Sequence, residues 1–210
     1  MDRRDFLKTT GLAAVGASAI RALSGAPQSV SIIVDHQDPI ASAGPAAWAI
    51  RELQSSLSPQ GVTSKIYPRI EAAPAGDRYV VVAGGSSPIA QQLLKTAKVT
   101  MPSSTEAVRL VPANLGGKPV LLAGGSDVRG LVYAVLELAE AGTTPLEVRM
   151  AVVEKPANLI RSCGRGFESD VEDKPWFDDR SWWGDYLTTL ATSRFNRFNL
   201  QTGHGYNGNH

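Results

Sequence analysis

Val80-Val81-Val82-Ala83-Gly84-Gly85-Ser86 is echoed further along the chain as Val120-Leu121-Leu122-Ala123-Gly124-Gly125-Ser126. Each copy is a continuous apolar run, short enough for a strand and flanked by glycine, which is the pattern of a strand buried on both faces of a layered α/β sheet. The Gly-Gly-Ser exits have two readings. Glycines let backbone N–H groups approach an anion at a helix N-terminus, as in phosphate and dinucleotide cradles. They also serve tight strand-to-helix turns. Spacing favours the turns: the run from Gly124 to Gly130 is not G-x-G-x-x-G, neither copy leads into Gly-Lys-Ser/Thr, and Asp127 would repel a phosphate. Ser86 and Asp127 are then expected as helix caps.

Outward from the echo, strands and helices alternate. Strands are expected at Val30–Val34, Thr63–Tyr67, Tyr79–Ala83, Ala107–Val111, Pro119–Ala123 and Leu146–Val153. Helices are expected at Ala43–Leu57, where Ala47, Ile50, Leu53 and Leu57 recur at helical spacing, at Ser87–Ala97 and at Val128–Ala141. Asn114-Leu115-Gly116-Gly117 reads as a hairpin turn, because glycine supplies the positive φ such turns need. This part of the chain is expected to be a small mixed-sheet α+β domain spanning residues 27–157.

Beyond it, Ile160–Phe167 and Phe195–Leu200 read as strands with a helix at Trp182–Arg194 between them. One β-α-β unit takes roughly 30 to 45 residues, whereas a closed (β/α)8 barrel needs about 250. Residues 158–210 are therefore expected to be the opening of an incomplete, truncated barrel. Between the strands, Glu168, Asp170, Glu172, Asp173, Asp178, Asp179 and Asp185 mingle with Trp176, Phe177, Trp182, Trp183 and Tyr186. Carboxylates that accept hydroxyl hydrogen bonds beside flat aromatic faces suit a sugar site, and the loop after a barrel's first strand lies on the catalytic face. A solvated acidic loop, with the tryptophans packing the helix, is the alternative. Arg161 and Arg165 share a strand face, and Arg165 is placed to hold a hydroxyl or carboxylate, or to pair with Glu168 or Asp170. His204 follows the second strand toward the same end.

The chain has 210 residues, 43% of them apolar, with a formal net charge of +1. That is ample for a core, and without a basic stripe there is no electrostatic reason to bind nucleic acid. One cysteine, Cys163, excludes an internal disulfide and is expected to be a small buried thiol. Asp170-Val171-Glu172-Asp173 lacks the spacing of a calcium loop, and His204 and His210 have no third ligand nearby, so neither a metal nor a cofactor is expected. Arg3-Arg4, then Phe6-Leu7-Lys8, an apolar run from Thr9 to Ile20 and the small residues Ser24-Gly25-Ala26 resemble a twin-arginine export signal over residues 1–26. The apolar run is too short to span a bilayer core of about 30 Å, so no stable membrane span is expected. The resemblance implies the twin-arginine export machinery as a partner and a periplasmic or secreted protein.

A second resemblance rests on Leu121–Leu138, with Gly124, Asp127, Arg129-Gly130 and Tyr133-Ala134, and on Ala49-Ile50 with Glu52-Leu53. These segments resemble the small α+β domain that precedes the barrel in bacterial β-hexosaminidases and α-glucuronidases, where it supports the barrel and carries no catalytic group. Ile160-Arg161-Ser162 and Arg194-Phe195-Asn196 resemble the start of that barrel, whose first-strand arginine grips the sugar, although Ser162 stands where glycine is usual. The resemblance implies the N-terminal portion of a glycoside hydrolase acting on polysaccharide or oligosaccharide, inactive without its later strands. Its substrate-binding candidates are Arg161, Arg165, Glu168, Asp170 and His204, with the catalytic acids unassigned. A non-catalytic carbohydrate-binding protein, or a cofactor-dependent oxidoreductase exported folded, are the alternatives.

Overall fold

The computed structural model describes residues 29–100, 102–141, 148 and 150–202. The export-signal segment, residues 146, 147 and 149 of the expected last strand, and His204 lie outside the described residues. The first unit is a six-stranded mixed sheet of β1 (Ser29–Val34), β2 (Thr63–Tyr67), β3 (Arg78–Gly84), β4 (Val108–Leu115), β5 (Lys118–Gly125) and β6 (Val152–Glu154), in the order β2-β1-β3-β5-β4-β6. β2, β1, β3 and β5 are parallel, while β4 runs antiparallel to both β5 and β6. The mixed α+β sheet expected from the sequence is what the chain forms.

Both echoed strands are buried on both sides because their alternate residues enter two cores. Val80, Val82, Leu121 and Ala123 face α1 (Gly44–Leu57) and α3 (Val128–Ala141); Val81 and Leu122, with Ile33 and Val111, face α2 (Pro88–Thr96). α1 contributes Ala46, Ala49, Ile50, Leu53 and Leu57; of the helical stripe read from the sequence, Ile50, Leu53 and Leu57 are buried, while Ala47 is only half-buried, the stripe passing through Ala46 and Ala49 instead. Burying one such leucine is worth about 1.5–3 kcal/mol.

The glycine exits serve close packing. A Cβ on Gly125 would lie 1.9 Å from the backbone nitrogen of Leu131, so α3 can cross the end of β5 only over a glycine. The amides there are already used: Gly84 N–H donates to Asp38 Oδ2 at 2.6 Å, and Gly85 N–H donates to the Gly125 carbonyl at 2.7 Å. Asp127 caps α3, accepting from Gly130 N–H at 2.8 Å. The cap of α2 is Ser87 and not Ser86, since Ser87 Oγ accepts from Ala90 N–H at 3.3 Å. Across the hairpin, Gly116 and Gly117 hold φ of +58° and +82°, the two consecutive left-handed residues of a tight turn.

Arg109 is the anomaly of this sheet. It sits on β4 opposite Gly124, is 0% exposed, and none of its three guanidinium nitrogens has a hydrogen-bond partner. Burial alone pulls its pKa down to about 10.

A second, two-stranded parallel sheet follows: β7 (Ser162–Phe167) and β8 (Arg197–Thr202), joined through α4 (Asp170–Phe177) and α5 (Arg180–Thr192). The β-α-β expected here is present, with α5 starting earlier than Trp182 because Asp179 Oδ1 caps it, accepting from Ser181 N–H at 2.8 Å. α4 replaces what reads as an acidic loop. Ser169 caps it, Asp173 reaches back to the amides of Glu168 and Ser169 just before it, and three carboxylates in the first turn sit at the favourable positive end of the helix.

Candidate functional site

Strand alternation gives the β7–β8 pair two unlike faces. On one, Cys163, Arg165 and Phe167 of β7 stand beside Phe198 and Leu200 of β8, all half-buried. α4 and α5 cover this face with an aromatic cluster: Phe167 meets Phe177 edge-on at 4.8 Å, Trp182 stacks on Tyr186 at 4.7 Å, and Phe198 lies 5.8 Å from Trp183. Arg165 inserts into the cluster, its guanidinium 4.1 Å from the Trp176 ring and 4.7 Å from that of Trp182. Each such contact is worth about 0.5–2 kcal/mol, more as it is desolvated. Arg165 makes no ion pair with Glu168 or Asp170 among the described residues, and its Nε is buried without a partner. Cys163 is half-buried rather than buried, its sulfur 3.5 Å from the Tyr186 hydroxyl, and that contact raises the Tyr186 pKa.

The other face is uncovered and polar. It carries Ser162, Gly164, Gly166 and, just past the strand end, Glu168, alongside Arg197, Asn199 and Gln201 of β8. All but Gly166 are exposed. The glycines make the floor low: a Cβ on Gly166 would sit 3.2 Å from Glu168 Oε1, so the carboxylate lies back over the strand where any larger residue would crowd it. The backbone of Glu168 is fixed by Asp173, whose Oδ2 accepts from Glu168 N–H at 2.7 Å and from Ser169 N–H at 2.9 Å, while Oδ1 accepts from Trp176 Nε1 at 2.9 Å. Those three donors hold the Asp173 carboxyl below its usual range. A carboxylate, two carboxamides, a hydroxyl and a guanidinium on one open surface can exchange hydrogen bonds with a polyol.

The other sequence candidates lie elsewhere. Arg161 precedes β7, at the opposite end from Glu168. Its guanidinium is engaged on all three nitrogens: Nε donates to the Arg194 carbonyl at 2.6 Å, one Nη to the Asn158 carbonyl at 2.8 Å, and the other to Glu106. Asp170 is the exposed first residue of α4.

Glu106, which the sequence pattern does not single out, gathers this end of the molecule. It is 8% exposed and holds φ of +57°, a left-handed conformation that costs a non-glycine residue about 1–2 kcal/mol. Besides Arg161, its carboxylate accepts from Asn196 Nδ2 at 3.0 and 3.2 Å and from Arg129 at 3.1 Å. Burial pushes its pKa up, but the hydrogen bonds from Arg161, Asn196 and Arg129 outweigh that and leave it below the ordinary value. Asn196 also accepts from Arg161 N–H at 2.9 Å and donates to the Leu159 carbonyl at 2.7 Å, so both strands of the second sheet start from one carboxylate of the first unit. A second tie runs from Arg194 to Glu137, at 2.7 Å, and to Glu154.

No family model and no curated protein matches this chain. Solved structures do. One, described as a GH138 enzyme targeting pectin rhamnogalacturonan II, superposes with a TM-score of 0.60 at 17% identity, over 84% of this chain and 24% of its own. Another, CpGH84D, superposes with a TM-score of 0.51 at 8% identity, over 86% of this chain and 36% of its own. The chain thus spans about a quarter and about a third of those two lengths. At such identities the likeness is one of fold alone.

Proposed function

We propose that the chain is the N-terminal portion of an exported glycoside hydrolase acting on polysaccharide or oligosaccharide. Residues 1–26 act as a twin-arginine signal, 27–157 as the supporting domain and 158–210 as the opening of a (β/α)8 barrel, with the periplasm or the exterior as destination. The observation that carries the reading is the parallel β7–β8 pair, closed by α5 on one face and open, polar and glycine-floored on the other. In a barrel the helices pack outside and the opposite strand face lines the interior, with the site at the strands' C-terminal ends.

On this reading Glu168 sits at the catalytic end and accepts hydrogen bonds from sugar hydroxyls, with Asn199 and Gln201 deeper along the same surface. Arg165 acts indirectly, by holding the aromatic cluster against the strands, and Arg161 by fixing where β7 begins. Asp170, the first residue of α4, follows β7 at the same end; His204, two residues past β8 in the sequence, is kept as a substrate-binding candidate. Hydrolysis usually needs a second carboxylate about 5–9.5 Å from the first. On this reading strands beyond β8 supply it.

The test is to express the full reading frame, including whatever follows His210, and to measure sugar release from plant and microbial polysaccharides. Hydrolysis is expected, and Glu168→Gln should lower kcat/KM by roughly 10- to 150-fold, the cost of one charged hydrogen bond of about 1.5–3 kcal/mol. A full-length protein that releases no sugar, or a Glu168→Gln variant as active as the parent, overturns the reading.

A further inference from the structure

The supporting layer contains a crevice of its own. The helices that follow neighbouring parallel strands β1 and β3 pack on opposite faces of the sheet, α1 on one and α2 on the other. Such a divergence opens a gap beyond the carboxyl ends of the two strands, the place where open α/β sheets most often hold ligands. Here a cavity of about 320 Å³ lies on the α2 face of the sheet, running from the end of β1, between the segment after β2 and the first turns of α2, over Val81 toward Leu115. That is within the range of small-molecule sites, roughly 300–1,000 Å³.

Its chemistry is mixed. Ile33 and Val81, 2% and 1% exposed, form an apolar floor, and four exposed polar side chains rim it: Asp35, Arg69, Glu71 and Gln92. Two carboxylates against one guanidinium disfavour a phosphate or another anion. No group of three metal-ligating side chains occurs among the described residues. The backbone amides at the neighbouring Gly84-Gly85 turn are already bonded to Asp38 and to Gly125, so no amide cradle is left there for a nucleotide phosphate. What remains is a neutral ligand with an apolar face and several hydroxyls around its edge. Acceptors at Asp35 and Glu71, a donor at Arg69 and a group that does both at Gln92 match such an edge, and the aliphatic floor matches ring C–H groups.

We propose that this crevice is an accessory binding site for a neutral pyranose, carried by the supporting layer and separate from the β7–β8 face. It would hold one sugar unit of a chain, or a free monosaccharide, without acting on it.

Amide chemical-shift mapping of the chain with methyl glucoside and methyl rhamnoside as probes, and inorganic phosphate as the anionic control, tests the proposal. Shifts are expected at Asp35, Arg69, Glu71 and Gln92 with at least one of the two glycosides and not with phosphate. Gln92→Trp, on an exposed helix position, fills the mouth and should raise that glycoside's Kd by at least about tenfold, a change of about 1.4 kcal/mol. Glu168→Gln should leave these shifts intact, which separates this site from the proposed catalytic face. Silence at the four rim residues with both glycosides overturns the proposal. So does binding that Gln92→Trp does not weaken, or a response to phosphate in place of sugar.

Discussion

Replacing Glu106 with Ala is expected to release the β7–β8 pair while the six-stranded sheet stays folded. Glu106 receives Arg161 and Asn196 from the second unit and Arg129 from its own. A hydrogen bond to a charged group contributes about 1.5–3 kcal/mol, and removing one partner of a buried pair costs about 3–5 kcal/mol. The Arg161 side chain is 21% exposed and that of Arg129 is 63% exposed, so the former falls short of a fully buried partner and the latter adds no more than about 1 kcal/mol. The net expectation is about 3 kcal/mol, or two orders of magnitude in the opening equilibrium of the second sheet. Native-state amide hydrogen exchange reads this directly: Cys163–Phe167 and Phe198–Gln201 should exchange roughly 100-fold faster, and Val80–Val82 and Leu121–Ala123 at the parental rate. Because the folded pKa of Glu106 is lowered, its contribution is fully present above the ordinary carboxylate value of about 4.3 and is lost as pH falls through the folded value. The parent and Glu106→Gln should therefore converge in β7–β8 protection at acid pH and diverge above it. Unchanged protection of β7–β8 in Glu106→Ala, or a uniform loss across both sheets, would refute the reasoning.

Two further substitutions probe the first unit. Arg109→Met removes a fully buried guanidinium that has no partner and puts an apolar side chain of similar reach in its place, so stability should hold or rise by about 1–4 kcal/mol in urea denaturation; a clear loss would mean the charge is answered by a group outside the described residues. Gly125→Ala places a Cβ 1.9 Å from the Leu131 nitrogen, forcing α3 off the sheet, and should cost more than about 3 kcal/mol by the same assay; a near-parental midpoint would contradict the close helix–strand crossing.

The strands and helices of the first unit are legible because each burial stripe has its own period. Ile50, Leu53 and Leu57 recur at helical spacing, and the Val80–Ala83 run is too short and too apolar for anything but an interior strand. α4 is not legible because Pro175 and its acidic residues resemble a loop, while the features that form it, the Ser169 cap and the Asp173 carboxylate folding back on Glu168 and Ser169, depend on local geometry more than on periodicity. Arg161 and Arg165 share a face by alternation, but which face meets solvent depends on α5 closing over Arg165. The alternate positions 162, 164, 166 and 168, with 197, 199 and 201, stand in the sequence as glycine and polar residues and carry no apolar signal to draw attention. Glu106 has no signature at all, since its partners lie 23, 55 and 90 residues away.

That last separation bears on how the molecule is made. Every strand of the first sheet except β6, and all three helices that cover it, are encoded before residue 142, so the layer can close around Glu106 while the second unit is still unsynthesised. At roughly 5–20 residues per second, the 90 residues between Glu106 and Asn196 take about 5–18 s to emerge. During that interval a preformed carboxylate waits at the edge of a layer complete but for β6, taking up Arg161 first and Asn196 last, so each strand of the next unit meets a fixed anchor as it leaves the ribosome instead of having to find its register among floating neighbours.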